Sequence, residues 1–319
     1  MNAAVVEAFD RLPRYAEFAN PVAADGEVLV KVSAAGLHPI VRSLANGTHY
    51  GSAGILPFVP GVDGVGRLAD GSRVYFGATR PPYGSFAEHS ITRPAMCVPL
   101  PDEMDDVAAA ALANPGMSSR AALMRAQFVA GESVLILGAT GVAGQLAVQI
   151  AKRLGAARVV AAGRNAKVLA ELSALGADAV ISLDQDQAVL VDAYRAAIAD
   201  AKIDVVLDYL WGQPAELLLQ AIAQKGLSHA ERRVRYVQIG GSAGPTITLP
   251  AATLRSSGLE LLGSGFGSAS LEQILQAVGE LFRAAAKEPF VNAVKAVPLR
   301  ELETVWSSKE QGVRIVFQQ

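Results

Sequence analysis

Residues 133–165 read SVLILGATGVAGQLAVQIAKRLGAARVVAAGRN. The stretch from Ser133 to Ala151 carries no charge and is long enough to raise the question of a membrane span. Its internal punctuation answers otherwise. Gly138, Gly141 and Gly144 fall close together, Thr140, Gln145 and Gln149 are polar, and the opening VLIL run is β-prone. A strand, a tight glycine turn and a helix account for all of these. In that arrangement the first two glycines let the backbone turn sharply and approach a pyrophosphate. The third lets helix and sheet pack closely, and Thr140, Gly141, Val142 and Ala143 lead into the helix with free N–H groups and a positive dipole end. The bland alternative is a glycine turn that only packs. A second strand at the proper distance favours the dinucleotide reading.

That second strand ends AAGRN. NAD sites usually place a carboxylate here for the ribose hydroxyls, and it would repel a 2′-phosphate. This chain offers Gly163, Arg164 and Asn165 instead, with Lys167 one turn further on. A guanidinium can fork onto a phosphate dianion, so the expected cofactor is NADPH, the competing reading being a solvated surface arginine.

Working outward, short apolar runs alternate with helical patterns after Ser133. The expected strands are 134–138, 158–162, 178–181, 204–209, 235–240 and 259–264, with helices over 145–155, 166–176, 187–200 and 214–226. Such alternation predicts a doubly wound parallel sheet. The earlier part of the chain is different: GEVLVKVSAAGL, DGVGRLADGSRVYFGA and GSFAEHSITRPAMCVPL are β-like runs broken by Gly, Pro and Asp. A helical link (DDVAAAALANPGMSSRAALMRAQ) joins the halves, and the β-rich tail is expected to return to the first domain. The expected division is 1–118 with 265–319 as a mostly antiparallel β domain, and 119–264 as the Rossmann domain.

Composition agrees with this. The chain has 319 residues, 51% hydrophobic and 18% charged, with a formal net charge of −2 that gives no sign of a nucleic-acid surface. Its N-terminus lacks the basic start and apolar core of a signal peptide. The single cysteine, Cys97, excludes an internal disulfide and points to a reducing cytoplasm. No membrane association is expected.

The motifs, taken in order, resemble the medium-chain dehydrogenase/reductase superfamily, in its zinc-free quinone oxidoreductase (ζ-crystallin-like) branch. GEVLVKVSAAGLHP, LPFVPGVDGVG, GSFAEH, VLILGATGVAGQLAVQIAKRLGA, LGADAVI, DVVLDYLWG, VQIGG and PLRELETVW…GVRIVF carry the likeness nearly end to end. The resemblance implies a GroES-like β domain, a Rossmann domain and a cofactor cleft at their junction. Zinc-dependent relatives have a Cys in the segment matching GLHP and a His-Glu pair in that matching PGVDG. Here His38 and Val62-Asp63 stand there, and the four-cysteine structural lobe is missing, so no metal is expected.

Quinone oxidoreductases often have Asn-Pro where this chain has His38-Pro39, and a Tyr after the segment matching Asn46-Gly47, where His49 or Tyr50 falls. Their Gly-Leu-Thr-Ala segment near the nicotinamide corresponds to Gly116–Ser119, which makes Ser118 a candidate hydroxyl. Gly240, Gly241 and Ser264 correspond to loops lining the nicotinamide. His38, His49, Tyr50 and Ser118 are therefore the catalytic candidates. Each has a plainer alternative: His38 bonding a turn, Tyr50 a core aromatic, and Asp63 binding local backbone N–H groups. The resemblance implies an NADPH-dependent reductase of quinones or α,β-unsaturated carbonyls. Enoyl-thioester reduction and non-catalytic NADPH binding remain as rivals. An apolar last strand, LELLGS, predicts a homodimer paired along that edge.

Overall fold

The computed structural model describes residues 1–52, 54–223, 232–265, 267–308 and 312–319. The chain divides into two compact units, 1–114 with 278–319, and 115–277. Ala53, Phe266 and the end of the helix expected over 214–226 lie outside the described residues.

The first unit is built on the nine-residue strand Val28–Gly36. It pairs antiparallel with Asp63–Arg67, His89–Thr92 and Val313–Gln318. Arg73–Gly77 and Cys97–Pro99 extend the sheet on one side, and Ala293–Pro298 extends it on the other, parallel to Val313–Gln318. The C-terminal residues thus complete the core of the N-terminal ones. Phe86 packs edge-on against Phe317, with ring centroids 5.0 Å apart, and against Trp306. These three, with Val30, Val32 and Phe76, are buried.

The second unit is a six-stranded, wholly parallel sheet. Its order is Ala179–Ser182, Arg158–Gly163, Ser133–Leu137, Val205–Asp208, Arg233–Gln238, Gly258–Gly263. Numbered from Ser133–Leu137 this is 3-2-1-4-5-6, the doubly wound order. Ser133–Leu137 is buried along its whole length, which explains its unbroken apolar run. On one face Leu135, Val160, Val206 and Tyr236 pack against Leu190, Tyr194 and Leu218. Arg235 lies buried as well, donating to the Ala126 carbonyl at 2.8 Å and to Glu132. Among the described residues no helix is long and apolar enough to cross a membrane.

The expected strands are present to within about two residues at each end, and the differences have causes. The strand expected over 204–209 stops at Asp208, because that carboxylate takes the N–H groups of Leu210 and Trp211 and turns the chain away. The linking helix, Asp106–Arg125, runs through Pro115, which has no N–H to give to the carbonyl one turn back. Asn292 supplies the missing donor, its Nδ2 lying 3.2 Å from the Ala111 oxygen.

Candidate functional site

The glycine turn sits where the sheet order reverses, between Ser133–Leu137 and Val205–Asp208. In open α/β sheets the crevice beyond the carboxyl ends of such strands is the ligand site. Gly138 has φ +87°, a left-handed conformation that favours glycine. A Cβ on Gly144 would fall 2.3 Å from the Gly138 oxygen, so the helix Val142–Arg153 can start this close only with glycine there. Its first N–H groups have no intrahelical acceptor, and Gly141 at the cap supplies no side-chain bond. The nearest atom to a Cβ built on Gly141 is 3.5 Å away, so this end of the turn is open. An open cradle of backbone donors at a positive dipole end fits a pyrophosphate.

Thr140 packs on the neighbouring strand, where a Cβ on Gly163 would meet its methyl group at 2.4 Å. Arg164 follows, exposed, and Asn165 caps the helix Ala166–Glu171 by accepting from the Val168 N–H at 3.2 Å. No acidic side chain stands in the 163–167 turn. The residues thus fit a 2′-phosphorylated dinucleotide better than an unphosphorylated one.

Across the crevice, Asp208 is fully buried. One oxygen accepts from the backbone N–H groups of Leu210 at 2.7 Å and Trp211 at 3.0 Å, the other from the Tyr236 hydroxyl at 2.8 Å. Burial pushes its carboxyl above the usual range, against these bonds. Tyr209 donates its N–H to Leu137 and meets the Ser119 hydroxyl at 2.8 Å. Gly240 lies on the Tyr209 carbonyl, since a Cβ there would approach it to 2.9 Å. Gly241 lines a cavity of about 380 Å³ with Trp211, Gln238, Pro245, Leu261 and Gly263. Ser264 donates its N–H to the Gln238 carbonyl at 2.8 Å.

In the first unit His38 and Asp63 form a buried pair, Nε2 to Oδ1 at 3.1 Å. The Tyr75 hydroxyl at 2.9 Å and Asn114 Nδ2 at 3.2 Å serve the other carboxylate oxygen. Burial lowers the imidazole below its usual pKa despite the carboxylate. Burial works against the Asp63 charge, but the donors, His38 first, outweigh it and hold the carboxyl below its usual range. A carboxylate only accepts, so Nε2 carries the proton and donates. Nearby Arg314, drawn down to about 10 by burial, donates to the Leu37 carbonyl at 2.7 Å.

Residues 142–281 match the family described as zinc-binding dehydrogenase. Over almost its full length the chain is 28% identical to the protein named "Probable NADPH-dependent quinone reductase tdiC" of Emericella nidulans, with 99% of each chain covered. It is 29% identical to the quinone oxidoreductase of Sus scrofa, over 83% of this chain and 79% of that one. The solved structure of the quinone oxidoreductase from Thermus thermophilus covers all of both chains at 26% identity, with a TM-score of 0.79. The chain is thus similar to medium-chain dehydrogenase/reductases of the quinone oxidoreductase type.

The chain departs from the metal-dependent pattern of that family in a physical way. Among the described residues no three His, Cys, Asp or Glu side chains stand close enough to share a metal ion. At the positions where metal-dependent relatives place ligands, His38 and Asp63 are bonded to each other. A zinc ion does not fit this donor set, since two mutually bonded groups fall short of about three free ligands.

The catalytic candidates do not form a single cluster within either unit. His49 and Tyr50 share an exposed turn with their rings 4.1 Å apart, and His49 Nδ1 accepts from the Gly51 N–H at 3.0 Å. Tyr50 is 84% exposed, which removes the core-aromatic alternative. Ser118 belongs to the second unit and donates to the Pro115 carbonyl at 2.7 Å. His38 has no exposed surface, and its Nε2 is bonded to Asp63, which matches the plainer alternative of a hydrogen-bonded structural histidine more closely than a donor facing a ligand. Asp63 is structural, but through side chains rather than the local backbone. Sequence reading missed Tyr209 because it was assigned to the strand; its place directly after the strand at the sheet reversal was the available signal.

The lowered pKa of buried His38 predicts an acid sensitivity. When the folded pKa lies below the unfolded one, the unfolded chain binds more protons as the pH drops, so the stability is present above about pH 6.5 and is lost as pH falls below it. Denaturant unfolding at pH 7.5 and 5.5 should show wild type losing more stability than His38→Asn. An equal loss in both proteins would mean that folding does not lower the pKa of this imidazole.

Proposed function

We propose that this protein is an NADPH-dependent reductase of quinones or α,β-unsaturated carbonyls, acting without zinc. The observation that carries the reading is the open glycine cradle at the sheet reversal with Arg164, not a carboxylate, beside the second strand. Relatives named as quinone reductases support the reaction class, and the Thermus enzyme is described in complex with NADPH.

In this reading Val142 and Ala143 give their N–H groups to the pyrophosphate, and Arg164, aided by Lys167, pairs the 2′-phosphate. Asn165 holds the turn, while Gly163, Gly240, Gly241 and Ser264 leave room for the backbone to approach the cofactor. Bound NADPH supplies a hydride. The protein's task is to hold the acceptor at contact distance and to stabilise charge on its carbonyl oxygen. Tyr50, His49 and Ser118 are the hydroxyl and imidazole donors assigned to that oxygen, and a hydroxyl or solvent water returns the proton. We place the protein in a reducing compartment such as the cytoplasm, on its single half-buried cysteine, and fractionation of cells tests this.

Arg164→Ala should weaken NADPH binding about tenfold to a hundredfold and leave NADH unchanged, as expected for a lost charge-assisted bond. Calorimetric titration checks this, and equal wild-type affinity for the two cofactors would remove the NADPH assignment.

Among Tyr50→Phe, His49→Ala and Ser118→Ala, at least one should lower enone or quinone turnover by roughly a hundredfold while NADPH affinity holds. Wild-type rates should survive dialysis against a chelator. Full activity in all three variants, or loss of activity to the chelator, would overturn the donor assignment or the zinc-free reading respectively.

The strand Gly258–Gly263 pairs on one side only within its sheet, which leaves an apolar edge. We infer a homodimer joined along it by a two-fold axis. Light scattering at micromolar concentration should report twice the chain mass, and a monomer would contradict it.

A further inference from the structure

The second unit carries three hydroxyls beside the cofactor crevice that no step above brings together: those of Tyr209, Ser118 and Ser119. Tyr209 is the first residue after Val205–Asp208, on the opposite side of the sheet reversal from Gly138. The two are neighbours, for a Cβ on Gly138 would lie 3.2 Å from the Tyr209 Cβ. A dinucleotide laid across this crevice has its pyrophosphate at Val142–Arg153 and its adenosine half toward Arg158–Gly163 and Arg164. Its other half must then extend over Val205–Asp208, above Tyr209.

Several contacts fix the position of this phenol. Asp208 binds the N–H groups of Leu210 and Trp211 and so fixes the turn that begins at Tyr209. Trp211, two residues on, has φ +56°, a conformation costly for a side chain of that size. The Tyr209 carbonyl is bonded by both the N–H and the hydroxyl of Ser242, at 3.4 and 3.0 Å. Its ring hydroxyl meets Ser119 Oγ at 2.8 Å, and Ser118 also bonds it. The other tyrosines of this sheet's core, Tyr194 and Tyr236, have no exposed surface, whereas Tyr209 keeps some exposed surface although its hydroxyl is buried. Burial raises its phenol above the usual range, so the group stays protonated and able to donate.

We propose that the Tyr209 hydroxyl, supported by Ser119, is a hydrogen-bonding contact for the nicotinamide riboside half of the cofactor and fixes that half for hydride transfer. The proposal rests on the NADPH reading above. A phenol can both donate and accept, which suits a ribose hydroxyl or a carboxamide, since each of these also donates and accepts. Tyr209 is thereby a positioning residue for the reaction, distinct from the donors assigned to the substrate oxygen.

The test compares NADPH with 2′-phospho-ADP-ribose, which keeps the adenosine half and lacks the nicotinamide. Both are titrated by calorimetry into wild type, Tyr209→Phe and Arg164→Ala. Tyr209→Phe should bind NADPH about threefold to tenfold more weakly, the size of one neutral hydrogen bond, and bind the fragment unchanged. Arg164→Ala should weaken both ligands. Unchanged NADPH affinity in Tyr209→Phe, or equal weakening of both ligands by it, would overturn the proposal, because a general loosening of the fold does not discriminate between them. If wild type binds neither ligand, the NADPH reading falls and this assignment with it.

Discussion

The approach of Gly144 to the Gly138 carbonyl is the contact on which the second unit depends. With no Cβ at Gly144, the helix Val142–Arg153 begins directly above the end of its strand. That closeness aims the free N–H groups at the crevice and leaves Gly141 open to a ligand. A methyl group at Gly144 would displace the turn or the helix, since backbone rather than a flexible side chain lies 2.3 Å away. Thr140 against Gly163 repeats the device on the next strand and brings Arg164 to the rim.

Asp208 does the corresponding work on the other side of the crevice. A carboxylate with no exposed surface needs partners, and it finds them in two backbone N–H groups and the Tyr236 hydroxyl. The chain is thereby turned at a fixed point, and Tyr209 stands at the edge of the crevice rather than inside the sheet. The first unit uses the same chemistry for a different end. At positions where metal-dependent relatives place ligands, His38, Asp63, Tyr75 and Asn114 satisfy one another. Gly36 makes room for the imidazole, for a Cβ there would come within 2.6 Å of it.

Much of the sheet was legible because buried parallel strands must be apolar along their length and glycine turns must separate them from helices. Ser133–Leu137 and Arg158–Gly163 were therefore readable to within a residue, as was the glycine cradle between them. The details set by long-range partners were not readable. Asp208 ends its strand through bonds to residues that follow it and to Tyr236, 28 positions away. Asn292 completes a helix turn 181 positions distant at Ala111, a pairing with no local signature. His38 looked like a candidate donor because it stands beside a proline in a motif; only the fold shows its N–H spent on Asp63.

We propose that the glycine cradle and Arg164 together hold NADPH across the sheet reversal. A crystal structure with NADPH bound tests it most directly. The pyrophosphate is expected on the N–H groups of Val142 and Ala143, the 2′-phosphate within hydrogen-bonding reach of the Arg164 guanidinium, and the nicotinamide half over Tyr209. A dinucleotide bound away from the glycine turn, or lying there with no cationic group near its 2′-phosphate, would contradict it.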